Sequence, residues 1–476
     1  MGLRHSPHGR APRLRRRTVR LMDRPNILLI HADQHRYDCV GAHGHPFLKT
    51  PNLDRLAREG VDFSHAFTPH PVCSPARACL MTGAWTTTHG CATIPGTETF
   101  RSADPALPVL TRLLADGGYR VGQVGKFHAE VAGAPTDHGA EAFVPYLDYK
   151  AWRAAQGLPP QPRANGWFGE TDPHIEPGQS ALAWQADHVL RLLETFAGDG
   201  ERPFFVRWDP PEPHLPNVVP EPYASLYPPG DIPPWPSFPD SLAGKPDAQR
   251  RTRLRWGTEG WTWEDWQPIV ARYLGEVTLL DAQIGRLLDA LDRWGRAENT
   301  LVVYTCDHGD LCGAHGMMDK HYCMYDDILR VPLLLRWPGA LPAGAVCDAF
   351  VSQELDVART LVEAAGVAAP PSFAGKSLRA AATGADPEPR RDIFAQYMGS
   401  REGLYSLRML RDRRWKYVFH PAGRDELYDL ETDPAELTNL ADAPAHADTL
   451  QRMRTRTGEW MASIGDPLAP PLYSWR

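Results

Sequence analysis

The sequence predicts an α/β fold: a large mixed, mainly parallel sheet flanked by helices, with a smaller C-terminal α+β domain containing a short antiparallel sheet and a terminal helix. Three observations carry this expectation. Four continuous apolar runs, lying far apart in the chain, each end in polar residues, as strands buried on both faces of a parallel sheet do. A capped helical pattern follows the first of them, and helical spacing returns later over a long stretch. After about residue 370 the runs become short and close together, the habit of antiparallel strands.

Pro25 to Ala32 is the first run and ends in Asp33-Gln34. Thr50 to Gly60 then reads as a helix, with Pro51 at its first position and Gly60 at its end. The same order recurs in Tyr119 to Val124 before Gly125-Lys126-Phe127-His128, Pro203 to Trp208 before Glu212-Pro213-His214, and Thr300 to Thr305 before Asp307-His308-Gly309. Open parallel sheets bind ligands beyond the carboxyl ends of their strands, so these four ends are expected to meet at one site. Residues 211 to 262, rich in Pro, Gly and Trp, read as a long irregular surface excursion near that site. Ala271 to Trp294 reads as a helix with Leu274, Val277, Leu280, Ile284, Leu287, Leu288 and Leu291 on one face. Leu407 to Leu410, Arg414 to Phe419 and Asp425 to Leu430 read as short strands, followed by a helix from about Ala445 to Ile464. The expected organisation is a basic, disordered tail over 1–23, a catalytic domain over 24–370, and a smaller domain over 371–476.

Composition narrows the function. The 476 residues are 42% hydrophobic and 23% charged, with a formal net charge of -7, a balance that favours neither nucleic acid nor an anionic membrane. An anionic substrate then needs a local basic pocket. The tail is the exception, with Arg4, Arg10, Arg13, Arg15, Arg16, Arg17 and Arg20 and no acidic residue among its first twenty. An export signal needs a longer apolar segment after such a region than Asn26 to Ala32, which reads as the first strand; Met22 is an alternative start. No run approaches the roughly 20 apolar residues of a membrane helix. The eight cysteines (39, 73, 79, 91, 306, 312, 323 and 347) include no CxxC zinc pattern, and they read as reduced thiols of a cytoplasmic enzyme.

Cys73 alone has surroundings that argue for chemistry. In Cys73-Ser74-Pro75-Ala76-Arg77, Ser74 is placed to cap and Pro75 to begin a helix, so residue 73 is expected just ahead of a helix N-terminus, where an anion is favoured. That pattern by itself fits a low-pKa nucleophile or an inert thiol, and for an arbitrary Cys-x-Pro-x-Arg the inert thiol is favoured.

The wider text is more specific. Cys73 to Gly83 (Cys-Ser-Pro-Ala-Arg-Ala-Cys-Leu-Met-Thr-Gly) resembles the signature of the type I, formylglycine-dependent sulfatases of the alkaline phosphatase superfamily. Asp33-Gln34, Thr50-Pro51-Asn52-Leu53-Asp54, Gly125 to His128, Asp307-His308-Gly309-Asp310, Lys320 and Glu426 to Leu430 follow in the family's order, so the resemblance covers nearly the whole chain from residue 24. It implies an alkaline-phosphatase-like sheet and a sulfuric ester hydrolase. It also implies that a separate formylglycine-generating enzyme converts Cys73 to formylglycine (3-oxoalanine), whose hydrate attacks the sulfate ester of a small substrate, a sulfated carbohydrate being one class.

By the same resemblance Asp33, Gln34, Asp307 and His308, with the side chain of residue 73, hold one divalent metal. Oxygen-rich ligation suits Ca²⁺, the first expectation, or Mg²⁺, and the imidazole of His308 draws the preference toward Mn²⁺ or similar ions. Many relatives carry a second Asp where Gln34 stands and Asn where His308 stands. Arg77 matches the arginine that supports the formylglycine, and Lys126 and Lys320 match the sulfate-binding lysines. His128 matches the base that takes a proton from the hydrate, and His214 the residue at the bridging oxygen.

Two other readings stand beside this one: a phosphonate monoester or phosphodiester hydrolase with the same nucleophile and metal set, and a non-catalytic binding protein with Cys73 unmodified. Gly125 to His128 favours the sulfatase. Trp256, Trp261, Trp263 and Trp266 suit the stacking of sugar rings or a cation, with core packing the favoured alternative. Substrate specificity is expected in segments 130–180 and 211–265, and His31, His35, His43 and His45 cluster near Asp33 without an assigned role.

Overall fold

The computed structural model describes residues 24–200, 202–399 and 405–469; the basic tail 1–23, with Met22, lies outside the described residues. The main sheet has eight strands: β1 Asn26–Ala32, β2 Val61–Phe63, β3 Arg120–Gly125, β4 Ala142–Pro145, β5 Phe204–Asp209, β6 Thr300–Cys306, β7 Leu333–Arg336 and β8 Ala345–Cys347. Their spatial order is β8-β2-β7-β6-β1-β5-β3-β4. Only β7 runs against its neighbours β2 and β6, so the sheet is mixed and mainly parallel. All seven residues of β1 are buried, which is why this central strand reads as an unbroken apolar run.

The longer helices are α1 Pro51–Glu59, α2 Cys73–Thr82, α3 Ala181–Asp199, α4 Asp247–Trp256, α5 Trp263–Arg293, α6 Gln353–Ala364 and the terminal α7 Ala447–Ser463. Two of them correct the expectation from sequence. α5 begins at Trp263, not near Ala271, because Thr262 and Asp265 form a capping box, with the Thr262 amide donating to Asp265 Oδ2 at 2.8 Å. Pro268, which removes one helical hydrogen bond early in α5, hid this start. α4 occupies part of the excursion expected to be irregular. It is polar, and tertiary bonds hold it, among them Gln249 Nε2 to Glu426 Oε2 at 2.9 Å.

The C-terminal sheet has four antiparallel strands in the order β9-β10-β11-β12: β9 Ile393–Met398, β10 Ser406–Arg411, β11 Trp415–Phe419 and β12 Glu426–Asp429. Three of these were legible, and β9 was not. Alternation assigns the two faces. Ile393, Ala395, Tyr397, Met409, Val418 and Tyr428 share one core with Trp266, Tyr273 and Leu274 of α5. Phe394, Leu410, Trp415, Tyr417 and Leu427 pack beneath Leu450, Met453 and Trp460 of α7, where Phe394 and Trp460 stack with centroids 4.4 Å apart.

One backbone approach positions a strand end. Gly125 closes β3 at φ 113°, and a Cβ there would lie 2.1 Å from the Asp209 carbonyl oxygen. The same oxygen accepts the Lys126 amide at 2.7 Å. Gly125→Ala is expected to cost about 3 kcal/mol or more in denaturant unfolding; an unchanged midpoint would contradict this reading of the contact.

Candidate active site

β6, β1, β5 and β3 are adjacent and parallel, so their carboxyl ends share one edge of the sheet. Asp307 and His308 follow β6, Asp33 and Gln34 follow β1, Asp209 ends β5, and Lys126 and His128 follow β3. α2 brings Cys73 to the same place, with its Sγ 3.6 Å from Asp33 Oδ1 and 3.3 Å from His308 Nε2. One donor atom from each of Asp33, Cys73, Asp307 and His308 lies within 4.8 Å of the others, and all four residues are buried.

The local geometry at Cys73 differs from the sequence expectation. Cys73 is the first residue of α2 and does not precede it, and Ser74 makes no cap. The Ser74 hydroxyl donates to the His128 carbonyl at 2.9 Å instead, satisfying an oxygen on the loop after β3 and tying that loop to α2. The first turn of α2 therefore keeps N–H groups free of a side-chain cap, with the positive end of the helix at the site.

A second layer fixes these groups. Arg77, fully buried, donates to Asp307 Oδ2 at 2.9 Å, Asp209 Oδ1 at 2.9 Å and Asp33 Oδ2 at 3.2 Å. It thus bridges carboxylates from three strands. His308 Nδ1 donates to the Gly309 carbonyl at 2.8 Å, which turns Nε2 toward Cys73 and the two acids. Gln34 holds φ 66°, uncommon for a side chain with a Cβ. It is pinned there by its amide to Asp307 Oδ1 at 3.1 Å and its carbonyl to the Tyr273 hydroxyl at 2.9 Å. Such backbone strain persists where surrounding bonds over-determine it.

Cations line the open side. Lys126 Nζ contacts Asp33 Oδ2 at 2.5 Å. Lys320 donates to Gln34 Oε1 at 2.9 Å and to His214 Nε2 at 2.7 Å, while His214 Nδ1 donates to the Leu215 carbonyl at 2.6 Å. Burial raises the Cys73 thiol, but Lys126, Lys320 and His308 more than offset it and hold the thiol well below its ordinary range. Burial likewise opposes charge on both lysines, yet Asp33 leaves Lys126 raised and Asp319 leaves Lys320 raised. The other described cysteines are free as well, and burial raises Cys39, Cys79, Cys91, Cys306, Cys312 and Cys323. Cys73 alone is shifted toward the thiolate.

Every candidate named from sequence, Asp33, Gln34, Cys73, Arg77, Lys126, His128, His214, Asp307, His308 and Lys320, thus stands at this one site. Others were missed. Asp209 joins Arg77 to Arg207, Asp319 sits beside Lys320 and Gln34, and Glu354 of α6 meets His31 at 2.9 Å. His31 is one of the unassigned histidines. Burial lowers it, but Glu354 and Asp209 outweigh burial and raise it from 6.5 to about 9. Its charge therefore stabilises the fold fully below pH 6.5, and that contribution is lost as pH rises through about 9. The thermal midpoint is expected to fall across this window in scanning calorimetry, and the fall to be shallower in His31→Gln.

Beyond Cys73 opens a cavity of about 1070 Å³, walled by segments 146–182 and 211–218 and by Arg255 and Trp256. Its volume matches a drug-sized ligand, far more than a sulfate ion needs. Of the four tryptophans, Trp256 lines the cavity. Trp263 and Trp266 are core residues, and Trp261 packs on Phe168 and Trp266.

The chain resembles known proteins over most of its length. The family model described as Sulfatase matches residues 25–367, and that described as N-sulphoglucosamine sulphohydrolase, C-terminal, matches residues 313–462. An arylsulfatase of Clostridium perfringens is 28% identical over 90% of this chain and 93% of its own. A multifunctional alkaline phosphatase superfamily protein, PehA, of Trinickia caryophylli is 30% identical over 94% of this chain and 96% of its own. Among solved structures, a phosphonate monoester hydrolase of Agrobacterium radiobacter superposes with a TM-score of 0.78 at 27% identity, covering 93% of this chain and 96% of that one. No helix among the described residues is long and apolar enough to cross a membrane.

Proposed function

The chain belongs to the sulfatase family, and on that premise we propose that it hydrolyses a sulfate ester with a nucleophile made from Cys73. The observation that carries this is the position of Cys73 Sγ inside a buried set of metal-capable groups and beside two lysines that bias it toward negative charge.

The residues present fit the expected groups. Two carboxylates, the lone pair of His308 and the amide of Gln34 form an oxygen-rich donor set with one nitrogen, suited to a divalent ion such as Ca²⁺, with Mn²⁺ or Mg²⁺ as alternatives. When formed, the hydrated formylglycine supplies one hydroxyl for attack on sulfur and a second whose deprotonation expels sulfate, and the metal supplies a positive charge beside it. A formylglycine-generating enzyme is the maturation partner. Lys126 and Lys320 bind the sulfuryl oxygens as their charge shifts, the electrostatic part of the catalysis. His128, with its imidazole in the cavity, takes the proton released from the second hydroxyl. His214 Nε2 and Lys320 share a proton at 2.7 Å and deliver it to the leaving oxygen. Arg77 positions the acidic ligands. We place this chemistry in 24–370 and read 371–476 as its supporting domain.

Mass spectrometry of the peptide spanning Cys73, from a host with the modifying enzyme, tests the proposal. The mass loss of a thiol-to-aldehyde conversion is expected in active protein, and active protein carrying only the thiol would refute it. A second reading, phosphonate monoester hydrolysis, is supported by the likeness to the Agrobacterium radiobacter enzyme. Gly125 to His128 favours sulfate, so kcat/KM for an aryl sulfate is expected to exceed that for the matching aryl phosphonate by about tenfold or more, a transition-state difference near 1.4 kcal/mol. The reverse preference would replace our reading with the second.

A further inference from the structure

Two carboxyl groups on the cavity wall have no part in the reaction as proposed. Glu276 projects from α5, only 5% exposed, and accepts the Asn217 amide at 2.6 Å. Glu212, from the loop after β5, accepts Gln185 Nε2 at 3.3 Å. Both of these donors are side-chain amides. Burial and then the neighbouring Glu212 raise the Glu276 carboxyl well above its ordinary range. A nearby positive charge would reverse that penalty.

Lys126 and Lys320 stand beside Cys73, and the two carboxyl groups share the same cavity wall, Glu212 close to the reacting end because its carbonyl accepts the Asp33 amide at 3.4 Å. Trp256, Tyr149, Leu182 and Leu279 supply aromatic and apolar surface around it. The basic residues Lys150, Arg163 and Arg255 stand at the exposed mouth.

We infer that the leaving group carries an ammonium on a compact apolar body, and that Glu276 and Glu212 form the subsite that recognises it. The inference builds on the sulfatase reading and names its substrate class: a zwitterionic sulfate ester. Sulfate lies against the lysines and the ammonium donates charge-assisted hydrogen bonds to the carboxylates. The indole face of Trp256 offers further attraction to a cation. A second anionic group on the leaving alcohol would meet repulsion at this wall, and a neutral one would leave the carboxyl pair without its counter-charge.

The test is a ladder of ω-aminoalkyl sulfates of increasing length, each beside the alkyl and the ω-hydroxyalkyl sulfate of equal length. At the best length kcat/KM is expected to be about tenfold or more higher for the amine than for either analogue. Glu276→Gln, with folding checked by thermal unfolding, is expected to bring the amine-to-alkyl ratio close to unity. Glu212→Gln, on a different element, is expected to lower it too, and decides the matter if Glu276→Gln does not fold. A ratio near unity at every length, equal rates for amine and hydroxyl, or a ratio untouched in the folded variants would overturn the inference. Calorimetric binding of the free amino alcohols separates this from the reaction itself. If no ester is hydrolysed but the amino alcohols bind in a manner lost in the Gln variants, the subsite stands and the sulfatase reading falls. If they do not bind either, the subsite falls.

Discussion

Cys73→Ala is expected to lower kcat on an aryl sulfate by about 10⁴-fold or more, the scale on which enzymes lose activity with their nucleophile. The change removes the attacking group and little else, because the residue sits at the start of a helix whose every residue is buried and its removal trims a single sulfur. Thermal stability should therefore move far less than turnover. Cys73→Ser is the sharper comparison. A serine hydroxyl in the same place can attack sulfur, but it lacks the second hydroxyl whose deprotonation expels sulfate. It should release alcohol in a burst stoichiometric with enzyme and then stall, a pattern rapid-quench measurement detects. Steady turnover by the Ser variant, or retention of more than a percent or so of activity by the Ala variant, about 10²-fold or less in loss, would contradict a nucleophile at residue 73.

The second large effect is expected at Arg77→Met. Asp33, Asp209 and Asp307 are all fully buried, and Arg77 is the guanidinium that touches each. Removing one partner of a buried ionic network leaves charge uncompensated, so metal-free protein should lose about 3–5 kcal/mol in denaturant unfolding. The loss should be partly repaired by divalent metal, since an ion held by Asp33 and Asp307 restores positive charge; at 100-fold excess over its dissociation constant a ligand contributes about 2.7 kcal/mol. Equal stability of variant and parent without metal would show that Arg77 does not carry this load. Metal-independent destabilisation would place its effect outside the metal-holding groups.

The strands that carry the site were legible for a physical reason: being buried on both faces, they are apolar from end to end, and the polar residue that breaks each run marks its carboxyl end. Their convergence needed only the rule that parallel strands share a direction. What escaped depends on contacts the sequence does not display. Asp209 reads as the last letter of a strand, and its meaning comes from Arg77, well over a hundred residues earlier. Ser74 looked like a cap, yet the His128 carbonyl, brought near by a different strand, is the partner it takes. Glu276 lies on a helical face otherwise occupied by Tyr273, Leu274, Val277 and Leu280, where an acid is invisible until the cavity beside it is known. β9, as long as β10 but with Gln396 in mid-strand, lacks the pattern that exposed its neighbours.

The centre of the main sheet has a consequence in time. Ile27 of β1 is flanked by Phe205 of β5 and Leu301 of β6, so the ribosome must deliver the second neighbour long after the first strand has emerged. At typical bacterial-to-eukaryotic elongation rates of about 5–20 residues per second, the wait from residue 27 to residue 301 is roughly 15 to 55 s. Throughout it β1, buried along its whole length in the finished fold, lacks at least one of its two neighbours, which makes the nascent protein a natural client for chaperones. Cys73, 2% exposed in the finished fold, is open to other enzymes during the same interval.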